Sequence, residues 1–291
     1  MTSCSPLRYP GGKQVIAPVL AHLIKLNSLE GRDYAEPYAG GAGAALSLLF
    51  SGYVRNLRLN DADPAVIAMW RSILDETDEF IRRIHSTPLN VAEWRKQRTI
   101  YLSASDASIL DLGFATFYLN RVNRSGIIKN AGPIGGVRQT GKWKIDARFN
   151  RLELSKRVKR IASYKKNISL CHLDALEFLR SVQSNRVFVY LDPPYFEKGK
   201  ELYLNHYMMN DHRDLSLFLR ESHPYKWVMS YDDTPEIREF YKGFRKTRFS
   251  LAYSARDRRL GSELLISTKD IVLPAGWYRE LPPLRSVKLG V

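Results

Sequence analysis

Cysteine is scarce: Cys4 and Cys171 are the only two among 291 residues. Two thiols build neither a disulfide framework nor a structural zinc site, and they suit a reducing compartment. The six histidines show no HExxH spacing and no Cys/His pairing, so no metal is expected. The N-terminus lacks a basic start followed by an apolar stretch, which speaks against a secretory signal. Long hydrophobic runs are missing too. The longest uncharged stretch, residues 37–54, just reaches the length of a membrane helix, but it opens on Pro37 and is broken by glycines. Repeats and low-complexity segments are absent. Apolar residues at 44%, with Gly 18 and Pro 14, exclude a disordered or collagen-like chain. A chain of this length buries roughly 75% of its unfolded surface and needs no staple.

Acid is missing most unevenly. Lys plus Arg is 45 against 30 for Asp plus Glu, a net of +15. Residues 120–166 hold fourteen bases and only two acids, Asp146 and Glu153, so 14 − 2 leaves +12 in 47 residues. Charge that served only solubility would be spread evenly. This concentration points to an anionic partner, with nucleic acid ahead of a membrane surface. Part of the set (Lys156, Arg157, Lys159 and Arg160) falls on one expected helix, as a solvated face would.

What is present reads as alternating strands and helices. A strand over 33–37 runs into the loop Gly40-Gly41-Ala42-Gly43 and a helix from Ala44 to Phe50. A second strand, 57–60, ends at Asp61, and Pro64 opens a helix to about Ile84. Strand 168–171 with helix 174–182, strand 186–191, and strand 226–230 with a helix from Pro235 follow. Two final strands, near 247–252 and 263–268, leave no room for a helix between them and should be antiparallel. The pattern predicts an α/β, doubly wound, mostly parallel sheet with an antiparallel last strand. Residues 86–150 differ in character, being aromatic, basic and rich in Gly and Pro near 131–136. They read as a domain inserted between 1–85 and 151–291.

Strand, glycine turn, helix and then an acid is a nucleotide-binding layout, with Asp61 placed 20 residues after Gly41. The dinucleotide fingerprint is broken, because counting from Gly41 and Gly43 its third glycine position is Leu46. A nucleoside such as S-adenosylmethionine fits better than a pyrophosphate cofactor. The sharper signal is Asp192-Pro193-Pro194-Tyr195, directly after the apolar run Val187 to Leu191. Two prolines stiffen the turn, so its carbonyl oxygens and the Asp192 carboxylate stay aimed. Such acceptors suit an exocyclic amino group, and Tyr195 offers a flat face for a base.

These motifs, in this order, resemble the Dam-type DNA adenine-N6 methyltransferases over nearly the whole chain. Pro6 to Lys13 is similar to that family's N-terminal cofactor motif, with Tyr9 where Trp is frequent. Ala35 to Gly41 resembles its glycine loop, and Asn60 to Asp63 its ribose-binding stretch. Tyr118 to Arg121 with Ser125-Gly126 resembles the start of its target-recognition region. Asp192 to Tyr195 matches its catalytic motif, and Ser230 to Thr234 has a counterpart. The resemblance implies a Rossmann-like S-adenosylmethionine-dependent fold with 86–150 as an inserted target-recognition domain. It implies catalysis by Asp192, Pro193 and Tyr195, and cofactor contacts from Tyr9, Lys13, Glu36, Ala39, Gly41, Asp61, Asp174 and Asp192. It also implies a cytoplasmic monomer acting on double-stranded DNA, with a cognate restriction endonuclease as a further partner to seek. Residues 132–143 depart from the relatives that read GATC, which leaves the target sequence open.

Adenine N6 is a poor nucleophile because its lone pair is delocalised into the ring. Asp192 and the Pro193 carbonyl can accept both N6 hydrogens and localise that pair for direct transfer. A stacked base cannot reach such a pocket, so it must flip out. For DNA contact the candidates are Arg121, Arg124, Lys129, Arg138, Gln139, Lys142, Lys144, Arg256 and Arg258. Alternation around Thr140-Gly141 predicts a β-hairpin with Trp143 and Ile145 on one face and Arg138, Gln139 and Lys142 at its tip. Arg and Gln there would read guanine and adenine edges. RNA or protein-glutamine methylation is the nearest rival, although protein-directed enzymes carry Asn where Asp192 stands.

Overall fold

The computed structural model describes residues 4–8, 13–196, 207–251 and 261–273. Its centre is a seven-stranded sheet in the order β3-β2-β1-β4-β5-β7-β6. The strands are β1 (Asp33–Glu36), β2 (Leu57–Asn60), β3 (Ile168–Cys171), β4 (Val187–Leu191), β5 (Lys226–Asp232), β6 (Arg245–Leu251) and β7 (Gly261–Ser267). Strands β1 to β5 pair in parallel, and β7 runs antiparallel to both β5 and β6. The expected α/β sheet with its antiparallel last strand is therefore present.

Both faces of the sheet are buried, and the period of two sorts its side chains between two cores. Tyr34, Phe188, Tyr190 and Val228 belong to one apolar cluster. Ala35, Val187, Val189, Leu191, Trp227, Met229 and Tyr231 belong to the other. The first cluster is covered by α1 (Ala17–Leu26), α2 (Gly43–Phe50), α3 (Pro64–Asp75) and α7 (Arg151–Ser163). The second is covered by α8 (Ala175–Ser181), α9 (Met209–Arg220) and α10 (Pro235–Phe240).

The single helix expected from Pro64 to about Ile84 is two. Helix α3 stops at Asp75, Glu76 leaves helical geometry at φ −124° and ψ 41°, and α4 spans Thr77–Ser86. Asp63 caps α3, its carboxylate accepting from the Ala65 N–H at 2.8 Å.

Within 86–150 the structure builds α5 (Val91–Leu102) and α6 (Ile109–Val122), and then turns. Helix α6 is buried from Leu112 to Val122 and shares the first apolar cluster with α3. Backbones approach closely where they cross: a Cβ built on Gly113 would lie 2.4 Å from Ser72 Oγ and 2.5 Å from the Ala68 carbonyl. The predicted hairpin around Thr140-Gly141 is absent; residues 134–148 form turns instead. Trp143 and Ile145 do not share a face, since Trp143 is 63% exposed and Ile145 is 4% exposed. Apolar alternation there was a misleading signal, because the half-buried Gln139 amide bonds the backbone of the turns where strand pairing was expected.

Gly113→Ala should strain the α3–α6 contact more than its better helix propensity helps. The expected loss is about 1–3 kcal/mol in urea unfolding, the range for an overpacked core.

Candidate active site

In the parallel part of the sheet the connections run outward in both directions from the β1–β4 pair. A crevice opens at such a switch, outside the carboxyl ends of the strands. Four acids stand there: Glu36 ends β1, Asp61 follows β2, Asp192 follows β4 and Asp232 ends β5.

The Asp192 turn hangs from β5 at both ends. Ser230 Oγ donates to Asp192 Oδ1 at 3.1 Å and lies 2.7 Å from the Tyr190 hydroxyl. The Phe196 N–H donates to Asp232 Oδ1 at 3.0 Å. Pro193 and Pro194 are buried between these anchors, and Tyr195 is half-buried. Burial first, and then the charges of Asp192 and Glu263, push the Tyr195 pKa well above its ordinary value, so the ring stays neutral. Glu263 sits on β7 opposite Asp232 and is 2% exposed. Sequence reasoning missed it, because one acid beside a run of Leu, Leu and Ile signals nothing until the strands pair.

The glycine loop lies at the end of β1. Gly40 has φ 48° and Ala42 φ 45°, both left-handed, and the turn closes with Ala42 N–H donating to the Ala39 carbonyl at 2.6 Å. Asp61 fastens this loop to β2: its Oδ2 accepts from the Gly40 N–H at 2.8 Å and its Oδ1 from the Asp63 N–H at 2.9 Å. Trp70 Nε1 donates to the Gly40 carbonyl at 2.8 Å, and Ser5 Oγ to the Gly41 carbonyl at 2.6 Å. Ser5, just before that motif, thus lies against the loop. Tyr9, and also Arg256 and Arg258, lie outside the described residues, as does the side chain of Lys13. Asn60, buried, ties the neighbouring loops by donating to the Pro37 and Leu173 carbonyls, each at 3.0 Å. Asp174 caps α8, accepting from the Leu176 N–H at 2.8 Å.

Glu36 is buried, and the Tyr34 hydroxyl donates to its Oε1 at 2.9 Å. Burial pushes the Glu36 pKa up to about 8, with the nearby Asp192 adding to the rise. Burial likewise raises Asp61 to about 6, against the pull of its two backbone donors. A crevice of carboxyl groups beside an open glycine turn suits a ligand that carries a sulfonium, an ammonium group and an adenine amino group. The residues present therefore fit S-adenosylmethionine.

The basic candidates fall in two environments. Arg124, Lys129, Arg138, Lys142 and Lys144 are exposed. Arg121 is not. It is 8% exposed, and its Nε and Nη2 donate to the Arg148 carbonyl at 3.0 and 2.6 Å. Gln139 is committed to its own loop: Nε2 donates to the Ile134 and Gly136 carbonyls at 2.8 and 2.6 Å, and Oε1 accepts from the Ile145 N–H at 2.9 Å. Its amide shapes the loop instead of presenting an edge to a base, contrary to the hairpin expectation. Among the described residues, no group of His, Cys, Asp and Glu is arranged to hold a metal ion, and no helix is long and apolar enough to cross a membrane.

Residues 9–254 match the family model of the D12 class N6 adenine-specific DNA methyltransferases. The chain belongs to that family. It transfers a methyl group from S-adenosylmethionine to the N6 of adenine in DNA. No curated protein matches the sequence. Solved structures with a similar outline include a candidate RNA methyltransferase from Pyrococcus horikoshii, at TM-score 0.38 and 11% identity, covering 90% of this chain and 85% of that one. A conserved hypothetical protein from Streptococcus pyogenes aligns at TM-score 0.34 and 9% identity, over 86% and 92% of the two chains. Scores this low carry no argument about activity.

The methyltransferase should lose stability as the pH rises. Unfolded Glu36 and Asp61 ionise near 4.5 and 3.8, whereas the folded groups hold their protons to about 8 and about 6. The folded state therefore binds the extra protons inside those windows, and their stabilising effect, complete below pH ~4, is lost by pH ~8. Each group contributes a slope of at most about 1.4 kcal/mol per pH unit. Urea unfolding of the ligand-free protein between pH ~5 and ~8 should show the fall, and Glu36→Gln should flatten it above pH ~6.

Proposed function

We propose that the enzyme methylates a specific double-stranded sequence, taking the target adenine out of the helix and transferring the methyl group in line. The observation that carries this reading is the Asp192 turn, pinned by Ser230 and Asp232 at the mouth of the β1–β4 crevice.

S-adenosylmethionine, when bound, supplies an electrophilic methyl group on a positive sulfonium. Glu36, Ala39, Gly41, Asp61 and Asp174, with Tyr9 and Lys13, are the residues that would hold it. Asp192 accepts one N6–H of the adenine and the Pro193 carbonyl accepts the other. Both acceptors localise the nitrogen lone pair; as the N6–CH3 bond formed, the S–CH3 bond would break, the thioether product would leave, and one N6 proton would pass to the Asp192 carboxylate or to water. Ser230 donates to Oδ1 of Asp192, so the carboxylate cannot rotate freely. Tyr195 lays its neutral ring against the base. No covalent intermediate forms on the protein, and most of the rate comes from positioning and preset dipoles.

Residues 86–150 carry the reading of the target, and 1–85 with 151–291 carry the chemistry. Exposed Arg124, Lys129, Arg138, Lys142 and Lys144 support this division, since cations at the surface are placed to meet a phosphate backbone or a base edge. Arg121 and Gln139 shape that surface from within. Arg256 and Arg258 are further contacts of the same reading. The reading takes a single chain as the acting unit. The reading also places the enzyme in the cytoplasm, with any cognate endonuclease reading the same sequence.

Asp192→Ala should leave a folded protein that binds DNA and should lower kcat by more than tenfold, a loss above about 1.4 kcal/mol in the transition state. Transfer of labelled methyl groups to DNA measures it, and retention of a tenth or more of the wild-type rate would refute the assigned role. Arg138→Ala should change which adenines are methylated if it reads a base, at about 1–3 kcal/mol on the cognate site alone. Sequencing that reports modified adenines decides the point.

A further inference from the structure

Strand β4 is apolar except for one hydroxyl. Among Val187, Phe188, Val189, Tyr190 and Leu191, only Tyr190 carries a polar side-chain atom. It is 1% exposed and belongs to the first apolar cluster, where a phenylalanine would fill the same space. Ser230 on β5 is a second hydroxyl of this kind. It is fully buried, and across the β5–β7 ladder it pairs with Leu265. A hydroxyl taken out of water costs stability unless it is hydrogen-bonded, so two of them deep in the sheet call for a use.

Strand register brings the two together. Tyr190 pairs with Val228 across the β4–β5 ladder, and the period of two puts Ser230 on the same face, two residues nearer the carboxyl end. The Tyr190 hydroxyl lies 2.7 Å from Ser230 Oγ, and Ser230 Oγ donates to Asp192 Oδ1 at 3.1 Å. Three side chains from two strands thus form one chain of hydrogen bonds that ends at the mouth of the crevice.

This chain has a direction. A serine hydroxyl has one proton and two acceptor sites, and an ionised carboxylate only accepts. The Ser230 proton therefore goes to Asp192, and Tyr190 is the donor in the bond to Ser230. Burial first, and then the charge of Asp192, push the Tyr190 pKa well above its ordinary value. Glu263 and Glu36 add to the rise, and the Ser230 bond opposes it. Tyr190 thus keeps the proton that the direction requires. A hydroxyl that receives a hydrogen bond is polarised and donates more strongly. With Tyr190 donating, Ser230 also has no reason to turn its proton back toward the tyrosine oxygen.

We propose that Tyr190 is a positioning residue for methyl transfer: it commits the single Ser230 proton to Asp192 and so fixes the carboxylate that accepts the adenine N6–H. The proposal rests on the reading of Asp192 as that acceptor. Tyr190 touches neither substrate nor cofactor in this role, and its whole effect passes through Ser230.

Methyl transfer to unmethylated genomic DNA gives kcat, and calorimetry gives the affinity for S-adenosylmethionine. Tyr190→Phe, which removes one oxygen and keeps the ring, should lower kcat about three- to tenfold and leave the cofactor affinity within about twofold of wild type. Ser230→Ala should lower kcat about tenfold or more. The double variant should be slower than Ser230→Ala by no more than about twofold, because the tyrosine acts only through the serine. Ser230→Cys, a weaker donor, should fall between serine and alanine, whereas a residue that merely filled space would leave it at the serine rate. Should Ser230→Ala fail to fold, Ser230→Cys takes its place in the same double-variant comparison. Losses that multiply in the double variant, an unchanged kcat in Tyr190→Phe, or a loss confined to cofactor affinity overturns the proposal. Asp192→Ala separates it from the reading beneath it. If Asp192→Ala is inactive while Tyr190→Phe matches wild type, only the positioning role fails. If Asp192→Ala keeps a tenth or more of the wild-type rate, the acceptor reading fails and the positioning role fails with it.

Discussion

The site depends on one topological constraint, the reversal of winding direction between β1 and β4. Two neighbouring parallel strands whose connections leave in opposite directions cannot have their carboxyl ends covered by the same loops. That gap is where the glycine turn after β1 and the Asp192 turn after β4 meet. The sheet then orients both. Asp61, from the far side of β1, holds the glycine turn through the Gly40 N–H, and Ser230 and Asp232, from the far side of β4, hold the Asp192 turn. Neighbouring strands supply the clamps, in addition to the burial of Ala39, Ala42, Pro193 and Pro194.

The same arrangement gathers carboxyl groups into a poorly hydrated place. Removing water from an acid disfavours its charged form, and Glu36 and Asp61 show the consequence in raised pKa values. The ligand-free enzyme tolerates this by keeping Glu36 protonated near neutrality. A cationic ligand reverses the preference, since a sulfonium or ammonium group favours the ionised carboxylate. Stability and cofactor capture therefore pull on the same acids in opposite directions.

The basic segment shows a different economy. Its interior uses polar side chains as structure: Asn120 donates to the Arg8 and Gly126 carbonyls at 2.8 and 2.7 Å, Asn123 accepts from Trp94 Nε1 at 2.7 Å, and Gln139 closes the turns near 134–145. Arg121 belongs to this interior, where burial and then the charges of Arg8, Arg157 and Arg148 lower its pKa. The exterior keeps its cations and the Trp143 ring outward. Helix α6 roots the whole segment in the first apolar core, packed against α3.

The amino-acid sequence by itself determined the order of strands and helices, the glycine turn, the Asp192 turn and the concentration of charge. Each is local: strand period, proline stiffness and glycine freedom act within a few residues. Tertiary structure alone decided the rest. The break at Glu76, the burial of Arg121, the inward turn of Gln139 and the presence of Glu263 beside Tyr195 depend on what packs against those residues. Alternation at 142–146 resembles a strand in one dimension, but no partner strand exists there to accept its hydrogen bonds. A side-chain amide supplies them instead, and the loop turns Ile145 inward and Trp143 outward. Contacts between residues far apart in the chain leave no periodic trace in it, so only the folded arrangement shows which polar side chains face a substrate and which hold the protein together.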